Sequence, residues 1–422
     1  RIIHAVEQAQ GTRAPTQRFV DRFAAIYTPT VFALALAVAV LTPWLLGWTW
    51  TLAAYKALVL LVIACPCALV ISTPVTVVSA LAAAARRGIL IKGGTYLEEA
   101  RNLKAIALDK TGTITEGKPK LVAFEMLAQS QETHSREATA TLAHSLAAQS
   151  DHPVSKAVAA GLESTPQTVE AFTAIAGRGV SGIIDSEQYW LGNHRLIEER
   201  DICSPAIEAK LQEHENQGRT VTLLATDKAV IALFAVADTI KASSKQAVAE
   251  LIALGITPVM LTGDNAATAS TVAGLAGIKD ARGNLLPEDK LKAIADMQKQ
   301  YGATAMTGDG INDAPALAQA DIGFAMGGAG TDTAMEAADI AVMNDDLRRI
   351  PETIRLSKRT HAILWQNITL ALGIKIVFMG LALFGNATMW MAVFADMGAS
   401  LLVVFNGLRL LRTSELSQNS VN

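Results

Sequence analysis

Three cysteines in 422 residues are too few for a disulfide framework, and two of them stand two positions apart, so a disulfide-stapled secreted scaffold is excluded and a reducing compartment is expected. Charge is scarce as well. Asp, Glu, Lys and Arg supply 18% of the chain, and 36 basic against 39 acidic residues leave a net charge of -3, which offers no electrostatic footprint for nucleic acid. No nucleic-acid partner is expected. What the chain has in excess is apolar side chains, at 51%, more than an ordinary soluble enzyme carries. Part of it is expected to lie in a bilayer.

Four apolar runs, at about 27–46, 57–85, 363–384 and 387–411, each reach the roughly 20 residues needed to cross hydrocarbon. The links within each pair, "GWTWTLAAY" and "GNAT", are short, so the runs read as two helical hairpins. Arg18, Arg22, Arg86, Arg87, Lys92, Lys358, Arg359, Arg409 and Arg412 flank the other ends of the runs, whereas the "GWTW" and "GNAT" turns hold no Lys or Arg. By the positive-inside rule both chain ends and the long middle section are cytoplasmic. Trp44, Trp48, Trp50 and Trp390 then anchor the outer interface.

The middle section alternates strand-like and helix-like runs. "AIALDKTGT", "TPVMLTGDN" and "TAMTGDGIND" each end an apolar strand in a Gly/Asp turn, and "SSKQAVAELIALG" and "PEDKLKAIADMQKQ" read as helices, the rhythm of a doubly wound parallel α/β sheet. An insert of roughly 115 residues, with its own strand and helix patterns, separates "EGKPKL" from "FAVADTIK" and is expected to form an α+β domain. The expected domains are a connector 1–26, a hairpin 27–87, a catalytic domain 88–121 and 238–355, the insert 122–237, a second hairpin 356–412 and a tail 413–422.

Asp109 follows an apolar strand directly. A carboxylate presented there can attack a phosphoryl group and form an acyl phosphate, or it can simply cap a turn. It has company: Thr262, Gly263 and Asp264 end a second strand, Lys290 follows in "PEDK", and Asp309, Asn312 and Asp313 stand in "GDGIND". In the membrane runs, Pro66 breaks "VLLVIACPCALVISTP" between Cys65 and Cys67. Irregular backbone survives in lipid only where it is buried in protein or lines a cavity. The two thiols can turn toward one soft cation such as Cu(I) or Zn²⁺, or merely pack at a kink. Asp396 and Lys375 are intramembrane ionisable residues, which are by default functional and paired. Two thiolates and one carboxylate suit Zn²⁺ or Cd²⁺, whereas Cu(I) prefers sulfur alone.

D-K-T-G-T-I-T, M-L-T-G-D-N, P-E-D-K and G-D-G-I-N-D-A-P-A-L together resemble the phosphorylation domain of P-type ATPases, within the haloacid dehalogenase-like phosphotransferases. The resemblance implies that ATP phosphorylates Asp109. It further implies that Mg²⁺ is held by Asp109, the Thr111 carbonyl and Asp309, that Lys290 and Thr262 bind phosphoryl oxygens, and that Lys110, Gly263, Asp264, Asn312 and Asp313 complete the catalytic set. Related phosphatases carry a second Asp where this chain has Thr111, so the acyl phosphate is expected to persist.

"SDHPVSKAV" and "GRGVSG" in the insert resemble the nucleotide-binding domain of heavy-metal P-type ATPases, which implies that His152, Pro153, Gly177, Gly179 and Gly182 line the adenine pocket; Ala147 stands where the family usually has Glu. C-P-C resembles the transmembrane ion site of the same group, and Lys375 with D-x-G at Asp396 resembles its zinc/cadmium/lead branch. There Cys65, Cys67 and Asp396 hold the transported ion and Lys375 acts as counter-ion. Met397 and Ser400 match only part of the copper pattern, because Leu401 follows.

No T-G-E motif and no N-terminal C-x-x-C module occurs. "RIIHAVEQAQGTRAPTQRFVDRF" reads as an amphipathic connector leaving an actuator domain, and the chain is expected to be the C-terminal portion of a longer pump in the cytoplasmic (inner) membrane, with ATP, Mg²⁺, a heavy-metal ion, lipid and the missing actuator and helices as its partners. The alternatives are a Cu(I) exporter, a membrane-anchored haloacid dehalogenase-like phosphatase and a metal-binding membrane protein without catalysis. Cys203 has no partner in sequence and reads as a packing or surface thiol.

Overall fold

The strand Ala105–Asp109 is buried at every position. Its side chains alternate between two faces: Ala105 and Ala107 enter one core with Val259, Leu261, Ile294, Met297, Met306 and Leu317, while Ile106 and Leu108, also fully buried, point the other way. Apolar cover on both faces is the condition of a parallel sheet. In the computed structural model five parallel strands lie in the spatial order Asp280–Arg282, Thr257–Leu261, Ala105–Asp109, Thr304–Gly308, Ile322–Met326. Helices Ala242–Ala253, Ala266–Ala276, Pro287–Tyr301 and Ala314–Gln319 connect or flank them. From the central strand the chain first builds outward on one side and then returns to build on the other. The reversal falls between Ala105–Asp109 and Thr304–Gly308, so the crevice at their carboxyl ends is where a doubly wound sheet binds ligand.

The structure describes residues 15–127, 135–175, 177–309, 313–327, 332–384 and 388–412. Asn312, residues 1–14 of the expected connector, most of the "GNAT" turn and the tail from 413 lie outside them. The chain divides into two compact units: Lys104–Ala338 with Asp345–Arg348, and Arg1–Leu103 with Asp339–Asn344 and Arg349–Asn422.

The first of these also holds the insert, a six-stranded antiparallel sheet ordered Lys120–Met126, Val230–Ala237, Thr220–Ala225, Glu187–Gly192, Gly179–Ile184, Glu170–Ile175. Helices Arg136–Ala148 and Pro153–Gly161 cover one face through Leu142, Leu146, Val158, Leu191 and Phe234. Helix Pro205–Asn216 covers the other through Ile207, Leu211, Leu223 and Leu233. The chain leaves for the insert and returns from it side by side: Thr115 bridges Ile240, the Glu116 amide donates to Thr239 (2.9 Å) and the Lys241 amide to Ile114 (3.0 Å). Asp238 fastens this crossing, accepting from the Thr115 hydroxyl (2.5 Å) and the amides of Gly117 (3.2 Å) and Lys118 (3.3 Å).

In the other unit four helices, Pro15–Leu46, Trp50–Ala85, Arg349–Ala382 and Met389–Leu411, are long and apolar enough to cross a membrane. Phe32, Leu36 and Trp44 on the first are exposed, as side chains facing hydrocarbon are. Polar contacts fix the inner faces of the others. Asn367, fully buried, donates to the Thr76 hydroxyl (3.3 Å) and the Val403 carbonyl (3.2 Å), and receives the Asn406 amide (2.8 Å).

Phe234 is fully buried and stacks on Phe124 with ring centroids 4.8 Å apart. Phe234→Ala should cost about 3–5 kcal/mol. Hydrogen exchange should accelerate in the insert's sheet and stay unchanged in Ala105–Asp109; unchanged exchange in both sheets would contradict the packing described.

Candidate active site and ion site

Asp109 is the last residue of the central strand, and Asp309 follows the last residue of its neighbour across the reversal. Two glycines allow the close approach. Gly112 (φ +69°) lies where any Cβ would overlap the Asp309 carboxylate, and a Cβ on Gly308 would come 2.5 Å from that of Asp313. One carboxylate oxygen from each of Asp109, Asp309 and Asp313 falls within 4.8 Å of the others. Between two of them stands Lys290, brought in on the first turns of helix Pro287–Tyr301, its Nζ 2.6 Å from Asp109 Oδ1 and 2.7 Å from Asp313 Oδ1.

Like charges crowded out of water raise carboxylate pKa values. Burial, then Asp313, push the Asp109 carboxyl up to about 7 against the pull of Lys290, with Asp309 adding to the rise. Burial and Asp313 raise Asp309 too. Burial opposes the charge on Lys290, but Asp109 and Asp313 hold its pKa above the usual lysine value. Three hard oxygen donors, two of them bonded to one ammonium, are a donor set that fits a hard divalent cation.

Thr111 is exposed, in an extended break (φ -74°, ψ 132°) of the turn Lys110–Ile114. Lys110 pairs with Asp264. Thr262 is buried one residue beyond Leu261, the register partner of Asp109, and its hydroxyl accepts from the Asp264 amide (3.2 Å). Sequence reasoning missed Lys241, whose Nζ donates to the Gly112 carbonyl (2.6 Å) and pairs with Asp345 (3.1 Å). The only sequence signal for Asp238 and Lys241 is a D-x-x-K directly after the insert's last strand.

A cleft of about 670 Å³ runs along this unit from Ser150–His152, Gly177 and Gly179 to Gly263 and Asp264. Its far end is thus tied, through Asp264, to Lys110, the residue after Asp109. His152 caps helix Pro153–Gly161, Nδ1 accepting from the Val154 amide (3.3 Å), and Pro153 occupies the first helical position, where a missing amide costs nothing. Gly182 sits against the helix Arg136–Ala148, where a Cβ would strike Val169 and Leu146, so its small size serves packing. Ala147 is fully buried in that same core. Gly192, Asn193 and Arg178 also line the cleft and were not singled out from sequence. The legible cue for Asn193 is a strand ending in G-N before a short helix, since its side chain caps that helix at Leu196 (3.1 Å).

In the membrane helices the break falls where Pro66 places it: one helix ends at Ala64 and the next starts at Cys67. The carbonyls freed there do not stay empty. Lys375 Nζ donates to Ile63 O (3.0 Å) and Cys65 O, and lies 3.1 Å from Asp396 Oδ1. Cys65, Cys67 and Asp396 each offer one ligand atom within 4.8 Å of the others. Cys65 and Cys67 stand here as a disulfide, their Cα atoms 5.4 Å apart across the break. A metal-holding form of this pair is the reduced dithiol.

Comparison with known proteins agrees with this architecture. Residues 103–321 match the family described as haloacid dehalogenase-like hydrolase. A probable cadmium-transporting ATPase of Staphylococcus aureus (strain MRSA252) is 46% identical over 98% of this chain and 58% of its own length. A zinc/cadmium/lead-transporting P-type ATPase of Escherichia coli (strain K12) is 43% identical over 98% of this chain and 55% of its own length. The crystal structure of a zinc-transporting PIB-type ATPase in its E2.Pi state superposes with a TM-score of 0.78 at 42% identity, over 97% of this chain and 67% of that one. The chain therefore spans just over half the length of these two curated relatives.

The raised Asp109 value fixes a sign for pH. The folded carboxyl binds its proton more tightly than the unfolded one, near 3.8, so without divalent cation stability is lost as pH rises from about 4 to about 7. Added Mg²⁺ should raise Tm more near pH ~7.5 than near pH ~5.5; an equal gain at both would remove the cation from this cluster.

Proposed function

This chain belongs to the haloacid dehalogenase-like hydrolases and, within them, to the P-type ATPases; from that footing we propose that it is the catalytic and ion-site portion of an ATP-driven exporter of Zn²⁺, Cd²⁺ or Pb²⁺. The observation that carries the reading is the series of contacts in one unit from the His152 and Gly177 end of the cleft, through Asp264 and Lys110, to the strand-end carboxylate of Asp109.

The ATP base and ribose occupy the insert's end of the cleft, and the γ-phosphate reaches Asp109. An Asp109 oxygen attacks the γ-phosphorus, the bond to the β,γ-bridging oxygen breaks, and ADP leaves with that electron pair. Phosphoryl transfer of this kind is governed by positioning and charge. Lys290 holds the attacking carboxylate against Asp313 and offers its ammonium to the charge building on the phosphoryl oxygens; Thr262 supplies a hydroxyl beside it. Asp109, Asp309 and the Thr111 carbonyl would hold Mg²⁺, which when bound neutralises phosphate charge. No carboxylate occupies position 111 to activate water, which favours a lasting acyl phosphate.

The cargo binds at the reduced Cys65 and Cys67 with Asp396, a soft and borderline donor set that favours Zn²⁺ or Cd²⁺ over Mg²⁺ or Ca²⁺. Lys375, paired with Asp396, replaces the cation's charge once the ion leaves. Both chain ends and the middle section face the cytoplasm, in keeping with the placement of Lys and Arg. The remaining length of the pump supplies the actuator that directs water to the phosphate.

In the full-length pump, Asp109→Asn should abolish hydroxylamine-sensitive label from ATP, and Lys290→Met should slow its formation by about 10²–10³-fold, the range for loss of one charge-stabilising donor. Label persisting in Asp109→Asn would end this reading. Asp396→Ala should remove stimulation of ATP hydrolysis by Zn²⁺, Cd²⁺ and Pb²⁺; stimulation by Cu(I) alone in the parent would overturn the ion assignment.

A further inference from the structure

The insert contains a group of metal-binding side chains that the proposed transport cycle does not use. His194 opens the short helix His194–Glu198, Cys203 lies in the stretch after it, and Glu208 stands on the first turn of helix Pro205–Asn216. The sequence gives Cys203 no neighbour to act with, but the fold brings its Sγ 3.3 Å from His194 Nε2. One ligand atom from each of His194, Cys203 and Glu208 lies within 4.8 Å of the others, and Glu198 Oε1 is 3.7 Å from His194 Nε2.

We propose that His194, Cys203 and Glu208 form a second soft-metal site, separate from the membrane site, that takes Zn²⁺ or Cd²⁺. Zinc bonds of about 2.3 Å to sulfur and 2.0–2.1 Å to nitrogen in a tetrahedron put the two donor atoms about 3.5 Å apart. The His194–Cys203 edge is already close to that length, so binding needs only the exposed Glu208 side chain to swing in. One imidazole, one thiolate and one carboxylate leave a fourth position for water or Glu198. Two carboxylates, Glu208 and Glu198, face the His194–Cys203 pair and favour a cation there. On binding, the S–H bond breaks, its proton goes to solvent and the sulfur pair is donated to the metal, with no change of oxidation state.

The site's position gives it a bearing on nucleotide. Asn193, next to His194, donates from Nδ2 to the Gly177 carbonyl (3.0 Å), and Glu199 pairs with Arg178 (2.8 Å); Gly177, Arg178 and Asn193 all line the cleft.

The test uses the chain in detergent with Cys65→Ser and Cys67→Ser, which leaves Cys203 as the single sulfur ligand among its cysteines. Cd²⁺ titration should then produce one saturable cadmium–thiolate charge-transfer band, displaced by Zn²⁺. Adding Cys203→Ser should abolish it. His194→Ala should weaken it by at least the ~10–100-fold that loss of an outer-shell partner alone costs. Glu208→Gln, at an exposed position, repeats the test should the His194 variant fail to fold. Absence of a saturable band in the parent, or a band equally tight in both the His194 and Glu208 variants, would overturn the proposal and leave Cys203 as a thiol that merely hydrogen-bonds its neighbour. Because the membrane sulfurs are gone, neither outcome bears on the transport reading.

Discussion

Three carboxylates at the carboxyl ends of two adjacent parallel strands, Asp109 and Asp313 buried and Asp309 half-buried, repel one another, and one lysine makes the arrangement tolerable. Lys290 is not a surface ion pair of small consequence; it is a buried ammonium bonded to two of the three acids. The strand order brings Asp109 and Asp309 to the same crevice, the glycines at 112 and 308 remove the side chains that would keep the acids apart, and the helix from Pro287 delivers the balancing charge. The negative charge left over gives the crevice its preference for cations.

The membrane unit meets the opposite problem with the same kind of group. Pro66 ends one helix and starts another, which leaves backbone carbonyls without amides in a segment that has no water to offer. Lys375 reaches across from another helix to two of those carbonyls and to Asp396. Its charge is thus held by oxygens that belong to the break, and the sulfurs of Cys65 and Cys67 are displayed beside it. A ligand that competes for Asp396 must also contend with this ammonium.

Much of the fold was legible because it follows from periodicities that one sequence displays. Runs of about twenty apolar residues announce the spans, and residues 105–108 are apolar at successive positions because both faces of the strand are covered. Asp109, Lys290, Asp309 and Asp313 are found in one crevice because each stands at a strand end or a helix start on the same edge of the sheet. Lys241, Asp238 and Arg178 were not singled out, since each acts on a partner distant in sequence or through a main-chain atom, and the local cue for Asn193 marks a helix cap without marking the cleft. At Gly182 the structure adds a packing reason that the motif does not display, since a Cβ there would meet Val169 and Leu146. The disulfide of Cys65 and Cys67 depends on how the chain turns at Pro66, which spacing alone does not give.

Asp238 ties together the outgoing and returning strands of the insert at their base, accepting three hydrogen bonds from one loop. An insertion whose two stems are cinched this way behaves as a cassette: what lies beyond the knot can lengthen, shorten or be exchanged without shifting the register of the sheet beneath it. The geometry at Asp109 is thereby insulated from changes in the insert's outer loops.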